Sequence, residues 1–198
     1  MASPRFQVEP FPGFPHSHTI ILLHGRDNAG TQFADEFFRC EAYTLPGGLR
    51  QDLRDLFPTV RWVFLSAPDR YSLRFDEMVP QWFDVWSTEE PHEYPELQAE
   101  GLHQSVETTA EVVREQEEDI PKQNIILGGV SQGFTAVVAA LPAIGSGLGG
   151  LVGFSGWVPA TIATELAENP RQDLFDAALE ATQVFVAHSA DDVVVPIS

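Results

Sequence analysis

Residues 124–140 read NIILGGVSQGFTAVVAA and join a strand-like run, a serine between glycines and a helix-like run. The first run is apolar and contains two isoleucines, as buried strands do, and the last is made mainly of small and apolar residues. Between them, residues 129–133 match the pattern G-x-S-x-G. In a strand-turn-helix context this pattern presents a nucleophilic serine at the carboxyl end of a sheet. The stretch therefore predicts a sheet covered by helices, with Ser131 exposed at its edge.

Steric and electrostatic requirements explain the residues around Ser131. A serine at the tip of a sharp turn adopts strained backbone angles, and side chains two positions away would collide with the neighbouring strand and helix. The backbone N–H of Gln132 would lie at the start of the following helix, where it can donate to the oxyanion formed when serine attacks a carbonyl carbon. An ordinary glycine-rich turn is the alternative interpretation of this pattern.

Strand-like runs alternate with helical patterns along the rest of the chain. The clearest helix is predicted over residues 95–118, where apolar residues recur every three or four positions and glutamates occupy the opposite face. Such alternation predicts an α/β fold with a mostly parallel sheet flanked by helices. The predicted strands are residues 19–23, 60–65, 124–127, 151–154 and 183–187.

The loop after the first predicted strand is a candidate for a second oxyanion donor. It reads His24-Gly25-Arg26, and Gly25 permits the close turn that would present the backbone N–H of Arg26. A histidine at a strand end beside a glycine is expected to orient this loop rather than to transfer a proton.

Composition limits the function classes. The chain has 198 residues, 43% of them hydrophobic, and a net charge of −18, which predicts one globular domain over residues 1–198 and argues against a nucleic-acid partner. A single cysteine and a start without a secretory signal or membrane span predict a cytoplasmic protein, for which transient contact with a membrane surface is compatible. His16 and His18 could suggest a metal pair, but no set of Cys or His partners accompanies them, so we expect no metal there.

A serine nucleophile requires a base and an acid that orients it. After the last predicted strand, residues 188–196 read HSADDVVVP, and either Asp191 or Asp192 could be that acid. None of the six histidines follows these acids in the sequence, although the chain order Ser, Asp, His is expected of this architecture. The histidines are His16, His18, His24, His92, His103 and His188.

Several motifs together resemble one family. Residues 23–27 (LHGRD), 81–84 (QWFD), 125–133 (IILGGVSQG), 154–159 (FSGWVP) and 188–192 (HSADD) follow one another in its order. From about Thr19 to Pro196 the chain resembles the acyl-protein thioesterase/lysophospholipase branch of the α/β-hydrolases. The resemblance implies a cytosolic serine hydrolase, without metal or cofactor, acting on palmitoylated proteins, lysophospholipids or small carboxylic esters.

The resemblance also implies individual roles. Ser131 would be the nucleophile, Arg26 and Gln132 the backbone oxyanion donors, and Asp192, rather than Asp191, the acid. Trp82 and Phe83 would lie near the ester, although core packing explains these two aromatic residues equally well.

The chain departs from the family pattern in two ways. Phe134 replaces the small residue usual after the second glycine of the serine motif, which is expected to change the packing under Ser131 or to narrow the acyl site. The histidine expected after Asp192 is not in the sequence, so we expect a fold without its last strand and helix, and little or no ester turnover.

Two alternatives remain open for function. One is a non-catalytic acyl- or lipid-binding module on the same fold, although retention of Ser131, Arg26 and Asp192 favours an enzyme that is incomplete. The other is a different esterase type of the same superfamily, which would differ only in substrate.

Overall fold

The computed structural model describes residues 4–39, 43–44, 50–159, 172–180 and 182–195. The strands are β1 (Arg5–Val8), β2 (His18–Leu23), β3 (Tyr43–Thr44), β4 (Arg50–Gln51), β5 (Val60–Leu65), β6 (Asp69–Ser72), β7 (Glu77–Pro80), β8 (Ile125–Val130), β9 (Gly150–Phe154) and β10 (Val184–Ala187). The helices are α1 (Gly30–Arg39), α2 (Leu53–Leu56), α3 (Ala99–Glu117), α4 (Gln132–Ile144) and α5 (Gln172–Glu180), and 3₁₀ turns span Pro95–Leu97 and Lys122–Asn124.

Within the described residues, the central sheet has six strands in the order β1-β5-β2-β8-β9-β10. Within this sheet, the five strands β5, β2, β8, β9 and β10 are parallel to one another. Strand β1 runs antiparallel to its neighbour β5. This confirms the predicted α/β fold and its mostly parallel sheet. The five predicted strands are present with ends shifted by no more than three residues, and the helix predicted over residues 95–118 divides into a 3₁₀ turn and α3.

The core lies on both faces of the sheet, because the central strands are buried on both sides. Ile21 and Leu23 of β2 pack in a cluster with α3 and α4, whereas Leu22 between them belongs to an aromatic cluster under α1. Trp62 and Phe64 of β5 form the centre of that second cluster. Continuous apolar runs such as residues 20–23 are therefore required at these strands.

A hairpin formed by β6 and β7 follows the central strand β5 and was not predicted. Ser72 and Val79 on its inner face are buried, whereas Tyr71 and Met78 on its outer face are exposed. The N–H of Asp27, in the loop after β2, donates to the carbonyl oxygen of Pro80 at 2.9 Å. The hairpin therefore lies beside the carboxyl end of the sheet.

A search of the described helices for a bilayer-spanning segment finds none with the required length and apolar character.

Candidate active site

Ser131 occupies the tight turn between β8 and α4. Its φ and ψ are 54° and −125°, a conformation that L residues rarely adopt outside functional sites. The N–H of Ser131 donates to the carbonyl oxygen of Phe154 at the end of β9, at 2.8 Å. The strained turn is therefore fixed to the sheet on one side and continues directly into a helix on the other.

The glycines of the serine motif are explained by the close approach of backbone segments. A Cβ on Gly129 would lie 2.6 Å from the backbone of Gly133 and Phe134. A Cβ on Gly133 would overlap the carbonyl oxygens of Leu23 and His24 at the end of β2. The predicted steric reason for both glycines is confirmed.

The loop after β2 lies against Ser131. A Cβ added to Gly25 would come within 3.5 Å of the Ser131 Cβ, so the loop and the turn of Ser131 are adjacent. Asp27 has a positive φ of 61°, and its N–H is fixed to Pro80. Among the described residues, the N–H groups of Arg26 and Gln132 have no hydrogen-bond acceptor, and they belong to these two adjacent segments.

The side chain of Gln132 is buried and fixes the start of α4. Its Oε1 accepts a hydrogen bond from the N–H of Trp82 at 2.9 Å, and its Nε2 donates to the carbonyl oxygen of Phe83 at 2.7 Å. The amide therefore uses both of its ends to hold the segment after β7 against the turn of Ser131.

Trp82 joins that segment to the loop after β2. Its indole Nε1 donates to the carbonyl oxygen of His24 at 2.8 Å, and its own carbonyl oxygen accepts from the hydroxyl of Ser105 on α3 at 2.6 Å. Trp82 is 1% exposed, and Phe83 is fully buried. Both side chains thus lie in the core, which agrees with the alternative that core packing explains these two aromatic residues. Their contact with a substrate stays a prediction.

His24 makes hydrogen bonds at both ring nitrogens, and these bonds orient the loop after β2. Nδ1 lies 2.6 Å from the carbonyl oxygen of Gly25, and Nε2 accepts from the N–H of Ala67 at 3.0 Å, an arrangement that requires the proton on Nδ1. Burial lowers the pKa of His24 and so favours the neutral ring. With Nε2 occupied, the ring has no free basic nitrogen for Ser131.

The other histidines also have no hydrogen bond to Ser131 among the described residues. His188 directly follows β10, and its Nε2 lies 2.6 Å from the carbonyl oxygen of Val195 and 3.5 Å from Asp192 Oδ2. Its bonded nitrogen therefore points into its own loop.

Asp192 is held as a carboxylate in the loop after β10. Its Oδ1 accepts the N–H groups of Val194 and Val195, both at 2.9 Å. Hydrogen bonds from Val195, from Val194 and from the Ser155 hydroxyl hold the pKa of Asp192 below its usual range. Asp191 instead accepts a hydrogen bond from the nearby Ser189.

The strand order brings Asp192 to the edge that carries Ser131. Ser131 follows β8, Ser155 follows β9 and the Asp192 loop follows β10, and these three strands are neighbours. Two strand spacings separate the ends of β8 and β10 by about 10 Å.

Phe134 lies in the core and not in an open site. A Cβ on Gly153 would overlap the Phe134 ring, and one on Gly156 would lie 2.6 Å from its Cδ1. The large residue on α4 is therefore accommodated by glycines on β9 and in the turn after it. Both expected effects of this substitution, on the packing under Ser131 and on the acyl site, stay predictions.

Comparison with known proteins places the chain in a family. Residues 7–198 match the profile of the phospholipase/carboxylesterase family. Acyl-protein thioesterase 1 of Debaryomyces hansenii is 31% identical over 185 residues, which are 91% of this chain and 72% of that protein. Acyl-protein thioesterase 1 of Cryptococcus neoformans is 29% identical over 150 residues, which are 75% of this chain and 58% of that protein. The chain thus spans less than two thirds of the Cryptococcus relative.

Solved structures are similar to the chain in fold. Zea mays acyl-protein thioesterase 2 matches with a TM-score of 0.68 and 22% identity, over 98% of this chain and 79% of that one. Arabidopsis thaliana SOBER1 matches with a TM-score of 0.64 and 22% identity, over 91% and 77%. These likenesses show the α/β-hydrolase fold. The profile match and the 31% identity show more, namely that the chain belongs to the phospholipase/carboxylesterase family.

Proposed function

We propose that this chain is a serine hydrolase of carboxylic esters and thioesters, with Ser131 as its nucleophile. The observation that carries the proposal is the strained turn of Ser131, with φ of 54°, beside the loop of Arg26. In the part of the chain that the structure describes, the N–H groups of Arg26 and Gln132 donate to no other residue. Strain of this kind persists where function requires it.

In the proposed reaction, the Ser131 hydroxyl oxygen attacks the carbonyl carbon while a base takes its proton. The N–H groups of Gln132 and Arg26 donate to the oxyanion, and they gain strength because charge develops only in the transition state. The carbon–oxygen or carbon–sulfur bond then breaks, and the alcohol or thiol leaves with the proton. Water attacks the acyl-serine in the second half and releases the acid.

The names of the relatives support a substrate class. Both fungal proteins are called acyl-protein thioesterase 1. We extend this to the chain as action on acylated proteins, with lysophospholipids and short esters as further substrates, in the cytoplasm. The proposed chemistry requires neither a metal nor a cofactor.

The general base limits the activity of the proposed enzyme. Both ring nitrogens of His24 are hydrogen-bonded, to the backbone of Gly25 and Ala67. The Nε2 of His188 is hydrogen-bonded to the carbonyl oxygen of Val195 in its own loop. A base between Ser131 and Asp192 would have to come from a group other than these two histidines. We therefore expect low ester turnover from the 198 residues alone.

Chemical rescue tests this proposal. The experiment measures p-nitrophenyl butyrate hydrolysis and labelling by a fluorophosphonate probe, with and without added imidazole as an external base. We expect slow reactions that imidazole accelerates at least about tenfold, a smaller factor than the roughly 10²–10⁴-fold of a positioned general base. Ser131→Ala should abolish both, and Asp191→Asn should change neither. Labelling that persists in Ser131→Ala would overturn the assignment.

A second candidate function is a non-catalytic module that binds acyl chains. The engagement of both His24 nitrogens favours it, because Ser131 then has no base from the loop beside it. In this case the probe labels nothing even with imidazole, while a fluorescent fatty acid binds saturably. The two functions therefore give opposite outcomes in one set of measurements.

A further inference from the structure

The tip of the hairpin β6–β7 is fixed to the segment that follows it. Residues 73–76 form this tip between the two strands. The N–H of Leu73 donates to Asp84 Oδ2 at 3.1 Å, and Arg74 Nη1 donates to the carbonyl oxygen of Trp86 at 2.7 Å. The tip therefore has a defined position beside the carboxyl end of the sheet.

The ring of Phe75, in this tip, contacts the side chain of Arg26 in the loop after β2. Arg26 Cζ lies 4.9 Å from the ring centroid, within the range of a cation–π interaction. The Arg26 side chain is 18% exposed, and its Nε lies 3.3 Å from Asp27 Oδ2. An ion pair between adjacent residues does not attach the loop to another part of the molecule, whereas the contact with Phe75 does.

The loop after β2 is hydrogen-bonded on both sides of Arg26 but not at its backbone. The carbonyl oxygen of His24 accepts from the indole of Trp82, and the N–H of Asp27 donates to the carbonyl oxygen of Pro80. In the part of the chain that the structure describes, the backbone N–H and C=O of Arg26 make no hydrogen bond. The contact of its side chain with the hairpin thus limits rotation of the peptide group that carries the proposed oxyanion donor.

We propose that Phe75 is a positioning residue for the reaction, which holds the guanidinium of Arg26 and thereby directs its backbone N–H. The inference rests on the proposed function, because it assumes an oxyanion formed at Ser131. A donor of this kind accelerates the reaction only when it points to the place that the oxygen occupies in the transition state. Phe75 acts through Arg26 and does not touch the reacting atoms.

Three variants separate the ring from simple apolar contact. The quadrupole of an aromatic ring attracts a guanidinium, and the attraction is strongest for tryptophan. Phe75→Leu keeps an apolar side chain and removes the ring, whereas Phe75→Trp keeps a ring. Met78→Leu is the matched control, since Met78 is 60% exposed on the outer face of the same hairpin.

The kinetic test is imidazole-assisted hydrolysis of p-nitrophenyl butyrate. Phe75→Leu should lower kcat by about two- to fivefold, the factor expected of an exposed cation–π contact. KM should stay within about twofold, because the contact with the oxyanion is made in the transition state. Phe75→Trp and Met78→Leu should both keep the kcat of the unchanged chain.

Amide hydrogen exchange tests the loop without any turnover. The N–H of Asp27 is protected by its bond to Pro80, so its exchange reports opening of the loop. In NMR spectra it should exchange about two- to fivefold faster in Phe75→Leu than in the unchanged chain, in Phe75→Trp or in Met78→Leu. The amides of β8 should exchange at the same rate in all four proteins.

Unchanged kcat in Phe75→Leu would overturn the inference, and so would an equal loss of kcat in Phe75→Trp or in Met78→Leu. Both results leave the proposed function intact, because the unchanged chain still hydrolyses the ester. No hydrolysis by the unchanged chain would instead contradict the proposed function itself, and the exchange of Asp27 would then decide whether Phe75 fixes the loop.

Discussion

Trp82 connects the two halves of the proposed oxyanion site through one indole. The side chain of Gln132 accepts a hydrogen bond from the backbone N–H of Trp82. The indole Nε1 of Trp82 donates to the carbonyl oxygen of His24, two residues before Arg26. Trp82→Phe keeps an aromatic ring but leaves that carbonyl oxygen buried without a donor. We expect a loss of about 1–3 kcal/mol in unfolding free energy.

The same substitution should also move the Arg26 donor. Imidazole-assisted turnover should therefore fall by about tenfold or more in kcat, with KM little changed, because the oxyanion contact is made in the transition state. Trp86→Phe, a change of the same kind at a half-buried position, serves as the control for both measurements. A drop in stability with kcat intact would mean that Trp82 supports only the core.

His24 makes stability depend on pH. Burial lowers its pKa in the folded state below the ordinary value of 6.5, so between the two pKa values the unfolded chain binds more protons than the folded one. The unfolding free energy should therefore fall as pH drops through 6.5, by at most about 1.4 kcal/mol per pH unit. It should level off below the lowered pKa of the folded state.

The comparison of His24→Gln with the unchanged protein isolates this contribution, because His16, whose pKa is also lowered, remains in both. Urea unfolding at several pH values gives the two slopes. His18→Gln should keep the steeper slope of the original chain. Parallel slopes for the original chain and His24→Gln would contradict a buried neutral imidazole.

Among the elements, those with a strong period were predictable from sequence. Continuous apolar runs gave the buried strands, and glutamates opposite an apolar stripe gave α3. The hairpin β6–β7 was not predictable, because its pattern is reversed: Tyr71 and Met78 face solvent, and Ser72 faces inward.

At the site, the spacing in residues 129–133 identified Ser131. The contact between Gln132 and Trp82 joins residues 50 positions apart and required the fold.

Strand β9 and helix α4 pack against each other where the Phe134 ring meets Gly153. In Gly153→Ala the new methyl group would overlap the Phe134 ring, which is enclosed and cannot move freely. We expect a cost of about 1–3 kcal/mol in unfolding free energy. Gly150→Ala on the same strand is the control, since its nearest atom would be 3.5 Å away and the cost should be small.

A double-mutant cycle tests this match directly. Phe134→Ala alone should cost about 3–5 kcal/mol, because it leaves a cavity between α4 and β9. Combined with Gly153→Ala, the total should be less than the sum of the single effects by about 1 kcal/mol or more, as for residues in contact. Additive effects in urea unfolding would mean that the two positions are independent.

At the scale of the whole molecule, the charge of −18 acts against the folded state, and salt should reveal it. Folding brings acidic side chains closer together, including the exposed glutamates of α3. The screening length shortens from about 30 Å at 0.01 M salt to about 8 Å at physiological strength, so this repulsion should weaken as NaCl is added. We expect the unfolding free energy from urea titration to rise between these conditions. Ion pairs would respond in the opposite direction, so an unfolding free energy that falls with NaCl would mean that attraction between charges outweighs their repulsion.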